Sequence, residues 1–233
     1  MKKQQPQISE DMILETSWKL LGEEGIEKFS MRRLADRLGI QAPSLYWYFK
    51  SKQHLYQHLA NQISKIILEE FQSEGDWKEQ MSGLAVTIRS VLRQYPCSTQ
   101  LMMLTLPHEP DMIRFTNRML LCMESTPLEQ EQKLQAVLTL VNYVLYFVLD
   151  GYQHQRTVSV ISKDQGVLSS GDMMHLLDSM SETEAGVFRR MYKSGLFEMM
   201  GTDRAFDFGL KLILLGIEQV IKEQEKIRLN EGS

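Results

Sequence analysis

Met31-Arg-Arg-Leu-Ala-Asp-Arg-Leu-Gly-Ile-Gln-Ala-Pro-Ser-Leu-Tyr-Trp-Tyr-Phe-Lys-Ser-Lys52 encodes two short helices joined by a tight turn. Leu34, Ala35 and Leu38 share one helical face, and Ala35 is small enough for a second helix to cross closely over it. Gly39 follows where a left-handed residue ends a helix. Ile40 can plug the corner, and Pro43 opens the second helix, where its missing N–H costs nothing. Leu45 and Phe49, four apart, can pack back on the first helix. Tyr46, Trp47 and Tyr48 then point in other directions, too many for so short a helix to bury, and Lys50 and Lys52 follow. Exposed aromatics and hydroxyls beside basic residues suit a helix laid in the major groove of DNA. The competing reading, in which the aromatics are core and the lysines a solvated rim, conflicts with a register that leaves Tyr46 outward.

The Arg32-Arg33-Leu34-Ala35 run, Leu38-Gly39-Ile40 and Pro43-Ser44-Leu45-Tyr46-Trp47-Tyr48-Phe49-Lys50-Ser51-Lys52 together resemble the TetR family of transcriptional regulators, and its tetracycline repressor subgroup in particular. The resemblance implies a DNA-facing set of Met31, Arg32, Arg33, Gln41, Ala42, Pro43, Ser44, Tyr46, Trp47, Tyr48 and Lys52. In it Arg32 reaches a base edge or phosphate. Gln41 and Tyr46 offer hydrogen bonds to bases, and Ala42 offers only an apolar contact. Ser44, Trp47, Tyr48 and Lys52 meet the backbone. An arginine forked onto guanine discriminates by roughly 1–3 kcal/mol. The subgroup carries a polar residue where Ala42 stands, so a different operator is expected.

The chain has 233 residues, and its apolar fraction of 43% is enough for a folded core rather than a disordered chain. Net charge is −4, but residues 1–60 hold nine Lys/Arg against seven Asp/Glu, a local +2 that leaves −6 on the rest. Affinity for DNA would therefore come from a local patch of phosphate contacts, which argues against a non-specific nucleoid-type binder. Cys97 and Cys122 are isolated, as expected of reduced thiols in the cytoplasm. The amino terminus is polar, without an apolar signal region. The longest apolar run, Val141 to Leu149, is broken by Asn142 and too short to span a bilayer.

No strand pattern and no internal repeat is present, so the expected fold is all-α. A helix-turn-helix head over residues 1–51 is expected to lead into a helical ligand-binding and dimerisation body over 52–233. Residues 1–8 form a loose arm. Helices are expected over Glu10–Glu24, from Ser30 through the turn to Phe49, and over Lys52–Gln72, Trp77–Gln94, Ser98–Leu104 and Asp111–Glu124. The longest runs from Glu129 to Gln155 and is apolar on more than one face, so other helices or a second subunit must enclose it. A Ser/Gly-rich loop over 157–171, short helices over Met173–Met180 and Glu182–Lys193, and a last helix over Ala205–Arg228 complete the chain. Gly209 and Gly216 on that last helix allow close approach. The resemblance makes 129–155 and 205–228 a homodimer interface.

For the body, the resemblance points to a small-molecule pocket but not to the subgroup's drug. Where tetracycline and magnesium have a histidine partner, this chain has Met102, while Thr105 matches. Other drug-contacting places hold Leu68, Leu84, Ile88 and Arg118. An acidic residue persists at Asp150, where it could serve the partner subunit's pocket. Magnesium needs oxygen ligands that methionine cannot supply, so tetracycline–magnesium is not the expected inducer. The expected lining is Leu84, Ile88, Met102, Thr105, Phe115, Arg118, Met119, Cys122, Val141, Asn142, Tyr143 and Tyr146. Methionines (Met103 and Met123 besides those named) adapt to varied shapes. The expected effector is a small hydrophobic molecule, carrying an acid that Arg118 could pair. Ordinary core filling by these methionines, with a body that only dimerises or binds a protein partner, is the alternative.

His54 and His58 stand i, i+4 and could chelate a metal. With no carboxylate or thiol at a complementary spacing, a solvated helix face is the preferred reading, and no metal or cofactor is expected. The five histidines are otherwise scattered, at 108, 154 and 175. Without a glycine-rich phosphate loop, a nucleophile elbow or a paired-cysteine site, no enzyme is expected. The expectation is a cytoplasmic homodimer that represses from a palindromic DNA operator and is released by its effector.

Overall fold

The computed structural model describes residues 8–72, 74–161 and 170–231, and every regular element among them is helical. Side-chain caps fix most of the early helix starts. Ser9 accepts from the Met12 amide at the start of α1 (Glu10–Glu24), and Ser30 from Arg33 at α2 (Met31–Leu38). Ser51 accepts from His54 at α4 (Lys52–Glu70). Asp76 and Glu79 form a reciprocal capping box at α5 (Trp77–Gln94). Each such cap is worth about 1 kcal/mol. Gly39 ends α2 with φ 69°, and the Ile40 amide reaches back to the Ala35 carbonyl at 3.0 Å, so the turn is built as its residues require.

The second helix of the turn motif is shorter than expected. Regular α-helix covers only α3 (Ala42–Leu45). Tyr46 and Tyr48 then bond back three residues, to Pro43 and Leu45, and Phe49 bonds back four, to Leu45. Beyond α5 come α6 (Ser98–Met103), α7 (Pro110–Leu121), α8 (Gln130–Ile161), α9 (Ser170–Ser179), α10 (Glu182–Lys193) and α11 (Asp203–Glu231). A 3-10 turn at Leu196–Met199, which has no counterpart in the expected pattern, precedes α11. Helix α7 stops at Leu121, where three-residue hydrogen bonds take over from Met123 onward. The expected loop over 157–171 is corrected at both ends: α8 continues through Ile161 and α9 begins at Ser170, while 162–169 lie outside the described residues.

Two cores organise these helices, and α4 belongs to both. The head buries Ile13, Leu20 and Leu21 of α1, Leu34 and Ala35 of α2, and Leu45 and Phe49. This core runs on past residue 51 into Leu55, Tyr56 and Leu59, and takes Cys97 and Leu101 from the body. One turn further on, Ile63 and Ile67 enter the body core with α5, α7, α8 and α11. Polar bonds reinforce the joint. Trp18 donates to Gln62 at 2.9 Å, and the Asn61 carbonyl accepts from the Asp111 amide at 2.8 Å, capping α7 from α4. Both cysteines are buried, and neither forms a disulfide among the described residues.

The stretch Gln130–Gln153 of α8 is long and apolar enough to cross a membrane, with mean hydropathy 1.5, although no unbroken apolar run had suggested it. Val137, Leu140, Val144 and Leu145 turn inward to the body core. Leu134, Leu138 and Tyr146 are exposed, as are Phe208, Leu212, Leu215 and Val220 on α11.

Candidate nucleic-acid interface

The turn motif divides cleanly between core and solvent. Leu45 and Phe49 are fully buried, whereas Trp47 is 89% exposed and Tyr46 48%. An indole in water with no partner among the described residues is available for a partner outside the chain. Gln41, Pro43 and Arg32 are also exposed, and Ala42 and Ser44 are half-buried beside them. These five, with Tyr46 and Trp47, form the surface that the sequence singled out.

Four residues of the expected DNA-facing set have other tasks. The Met31 side chain is 7% exposed and belongs to the head core. Arg33 is paired with Glu24 of α1. Lys52 is half-buried: its ammonium donates to the Phe29 carbonyl at 2.7 Å and lies over the Tyr56 and Phe29 rings. Burial pushes that ammonium below the usual lysine value. Tyr48 donates its hydroxyl to the Ile8 carbonyl at 2.7 Å, which ties the segment to the start of α1. Sequence spacing could place these residues beside the motif, but only tertiary packing decides which way each one turns.

In the body, much of the expected lining is gathered, but as packed core. Leu84, Ile88, Phe115, Met119 and Cys122 are all buried in one cluster, with Met102, Val141 and Tyr143 packed against it. The Thr105 hydroxyl is occupied by the Leu101 carbonyl at 2.8 Å. Arg118 lies 5.7 Å over the Phe71 ring. Asn142 and Tyr146 depart from the cluster: both are exposed, beside Asp150 and Ile213 on the outer side of α8. The helical period puts them there, because residues 137, 140 and 144 already occupy the inner face.

A cavity of about 430 Å³ lies elsewhere, between the end of α5, the start of α6 and α8. Arg89, Tyr95, Ser98, Gln100, Phe147 and Tyr152 are among its walls. Arg89 stacks 4.3 Å over Phe206 and donates to Asp203 at 2.6 Å, yet its Nε is buried without a hydrogen-bond partner among the described residues. Local sequence does not reveal this arginine's role, since the groups around it come from three distant segments.

The outer faces of α8 and α11 enclose an apolar groove lined by Leu128, Ala136, Leu212, Ile213, Ile217 and Val220. Gly216 also lines it, with open space where a Cβ would stand.

Comparison with known proteins finds two family models along the chain. A family model described as bacterial regulatory proteins, tetR family, matches residues 13–59. A second, described as the tetracyclin repressor-like C-terminal domain, matches residues 71–221. The class C tetracycline repressor protein of Escherichia coli is 26% identical over 216 residues, covering 91% of this chain and 92% of the relative. Among solved structures, the Streptomyces coelicolor TetR family protein ActR in complex with actinorhodin superposes with a TM-score of 0.71 at 20% identity, covering 92% of this chain and 99% of that one. BioQ with its double-stranded DNA operator gives 0.60 at 19% identity, covering 91% and 98%, so these two show a shared fold. With matches to its head and to most of its body, the chain belongs to the TetR family of bacterial regulatory proteins.

Proposed function

We propose that this protein is a homodimeric repressor of the bacterial cytoplasm that grips a palindromic operator through two copies of the Arg32–Trp47 surface and is released by a small hydrophobic effector. The exposed Trp47 and Tyr46, standing on a buried Leu45 and Phe49, are the observation that carries the DNA-binding part. A dimer places two such segments in successive major grooves, and the operator mirrors the twofold axis. The apolar outer faces of α8 and α11, with Gly216 leaving room for a crossing helix, support pairing of two copies there.

The effector is a hydrophobic acid, as the sequence suggested, but Arg89 suits its carboxylate better than Arg118. Arg89 lines a cavity of ligand size and has a buried donor to spare. An effector held there lies beside the Cys97–Leu101 segment, which packs into the head core. Binding that favours a wrongly spaced pair of heads lowers occupancy. A swing from 1:99 to 99:1 requires a preference of about 5.5 kcal/mol.

The test is fluorescence anisotropy of the purified full chain on DNA from upstream of its own gene, with hydrophobic carboxylic acids preselected by thermal shift. Two chains per palindrome, released by an acid that raises the melting temperature, is the expected result. Equal affinity for scrambled DNA would remove the operator reading, and indifference to every acid would remove the effector.

A further inference from the structure

His54 and His58 are not a solvated helix face. They sit half-buried at the joint of head and body, where the fold brings them a carboxylate from far along the chain. Glu109, at the threshold of α7 between Pro107 and Pro110, places an oxygen 3.9 Å from His58 Nε2. The two histidine Nε2 atoms are 3.2 Å apart, and one ligand atom from each of the three side chains lies within 4.8 Å of the others. Glu10 of α1 holds His58 from behind, its Oε1 3.1 Å from Nδ1. Phe49 closes one side, with its ring 5.1 Å from that of His58 and 5.9 Å from that of His54.

We propose that His54, His58 and Glu109 form a binding site for a zinc-class divalent transition metal, and that its occupancy changes the grip of the head on DNA. Ligand atoms around a tetrahedral ion with bonds of 2.0–2.1 Å stand about 3.3 Å apart, so the histidine pair has the required separation and Glu109 needs only a small side-chain movement. Two imidazoles and one carboxylate suit zinc, nickel or copper rather than magnesium or calcium. Three protein ligands leave one position for water. Glu10 is placed as the outer partner that metal-bound histidines commonly have: by accepting a hydrogen bond from Nδ1–H it turns the His58 Nε2 lone pair inward.

The coupling follows from ring protons. One arrangement satisfies the three ring hydrogen bonds: the Lys50 amide donates to His54 Nδ1 at 3.2 Å, His54 Nε2–H donates to His58 Nε2, and His58 Nδ1–H donates to Glu10. For His54 to offer Nε2 to a metal, its proton must move to Nδ1. The Lys50 amide then loses its acceptor, three residues after Trp47. A filled site would also tie the α6–α7 loop of the body to the first turn of α4. Metal binding is independent of the DNA-binding reading and is tested without DNA.

The experiment is titration of the untagged full chain with Zn2+ in competition with a chromophoric chelator, with Co2+ absorbance as a second probe. We expect one ion per chain, tetrahedral Co2+ bands, and affinity lowered at least tenfold in His54→Gln and His58→Gln and severalfold in Glu109→Gln. Absent Co2+ bands, or zinc affinity unchanged in folded Glu109→Gln and His58→Gln chains, overturns the site and leaves a hydrogen-bonded relay. Should a histidine variant fail to fold, Glu109→Gln on its loop and the Co2+ spectrum of the unaltered chain still decide. Operator affinity with and without one equivalent of Zn2+ is expected to differ at least threefold, and metal bound with no such change overturns the coupling.

Discussion

The Tyr143 hydroxyl donates to the Phe206 carbonyl at 2.8 Å, so α8 is pinned to the first turn of α11 by a ring that also stacks on Phe206 at 5.5 Å. Gly209 makes this possible: a Cβ there would overlap the hydroxyl and lie 2.7 Å from the ring carbon Cζ. Gly209→Ala gains about 1 kcal/mol of helix propensity and costs about 1–3 kcal/mol of overpacking. The expected net result is a lower urea midpoint at fixed protein concentration. Tyr143→Phe alone should cost about 0.5–1.5 kcal/mol. In the double variant the missing hydroxyl relieves the clash, so the two changes should sum to more than the measured loss. Strict additivity would mean that Gly209 is not there for Tyr143.

Within the turn motif, two substitutions separate binding from folding. Trp47→Ala should leave unfolding within about 0.5 kcal/mol of the parent, as for other surface changes, while weakening operator binding severalfold. Met31→Ala, one helix earlier, should cost about 2–5 kcal/mol of head stability by opening a cavity. A Trp47→Ala chain that binds its operator unchanged would move the interface off this segment. Paired anisotropy and denaturation curves on the same preparations check both.

What was legible in advance was local. Ser9, Ser30, Ser51 and Asp76 announced their helices because a cap is a matter of three neighbouring residues, and Gly39 announced the turn because only its own φ was at stake. Leu45 and Phe49 were legible as core by spacing. The direction of Lys52 was not, since the Phe29 carbonyl that holds it lies 23 residues away. The same limit hid Glu109 from His58 and Asp203 from Arg89. Resemblance puts Asn142 and Tyr146 in the pocket, whereas the helical period alone sends them outward from a face anchored by Val137, Leu140 and Val144.

Acid should loosen the body through Glu218. Hydrogen bonds from Lys78 and Lys222 hold its carboxyl at about 2, below its ordinary 4.5. Lys78 belongs to α5 and Glu218 to α11, so this pair spans the body. Above 4.5 the carboxylate is charged in folded and unfolded chains alike, and the stabilisation is complete. Below that value the unfolded chain takes up the proton first, so stability falls until the folded chain is protonated near 2. Lys78→Met should flatten this fall, read as the difference in urea midpoint between about pH 5 and about pH 3. An equal fall in both chains would show that the pair contributes nothing measurable, as exposed pairs often do.

Arg89 and Arg118 make opposite predictions for the effector. Asp203 takes one Arg89 nitrogen, and that bond, with help from Arg93, holds the Asp203 carboxyl below the usual carboxylate range. The buried Nε remains, beside a cavity walled by Phe147 and Tyr152. An acid reaching it gains a hydrogen bond between charged groups, worth about 1.5–3 kcal/mol, or roughly tenfold to a hundredfold in affinity. Arg89→Met should therefore abolish release from the operator at effector concentrations that suffice for the parent, and Arg118→Met should leave release intact. The opposite outcome would return the site to the Leu84–Phe115–Met119 cluster, which would then have to open around the ligand, since its side chains are already in contact with one another. Asp203→Asn sharpens the comparison. It weakens the competing hold on the guanidinium without removing it, so the effector should bind as well as before or better. Weaker binding would mean that Asp203 is needed to aim Arg89 at the cavity.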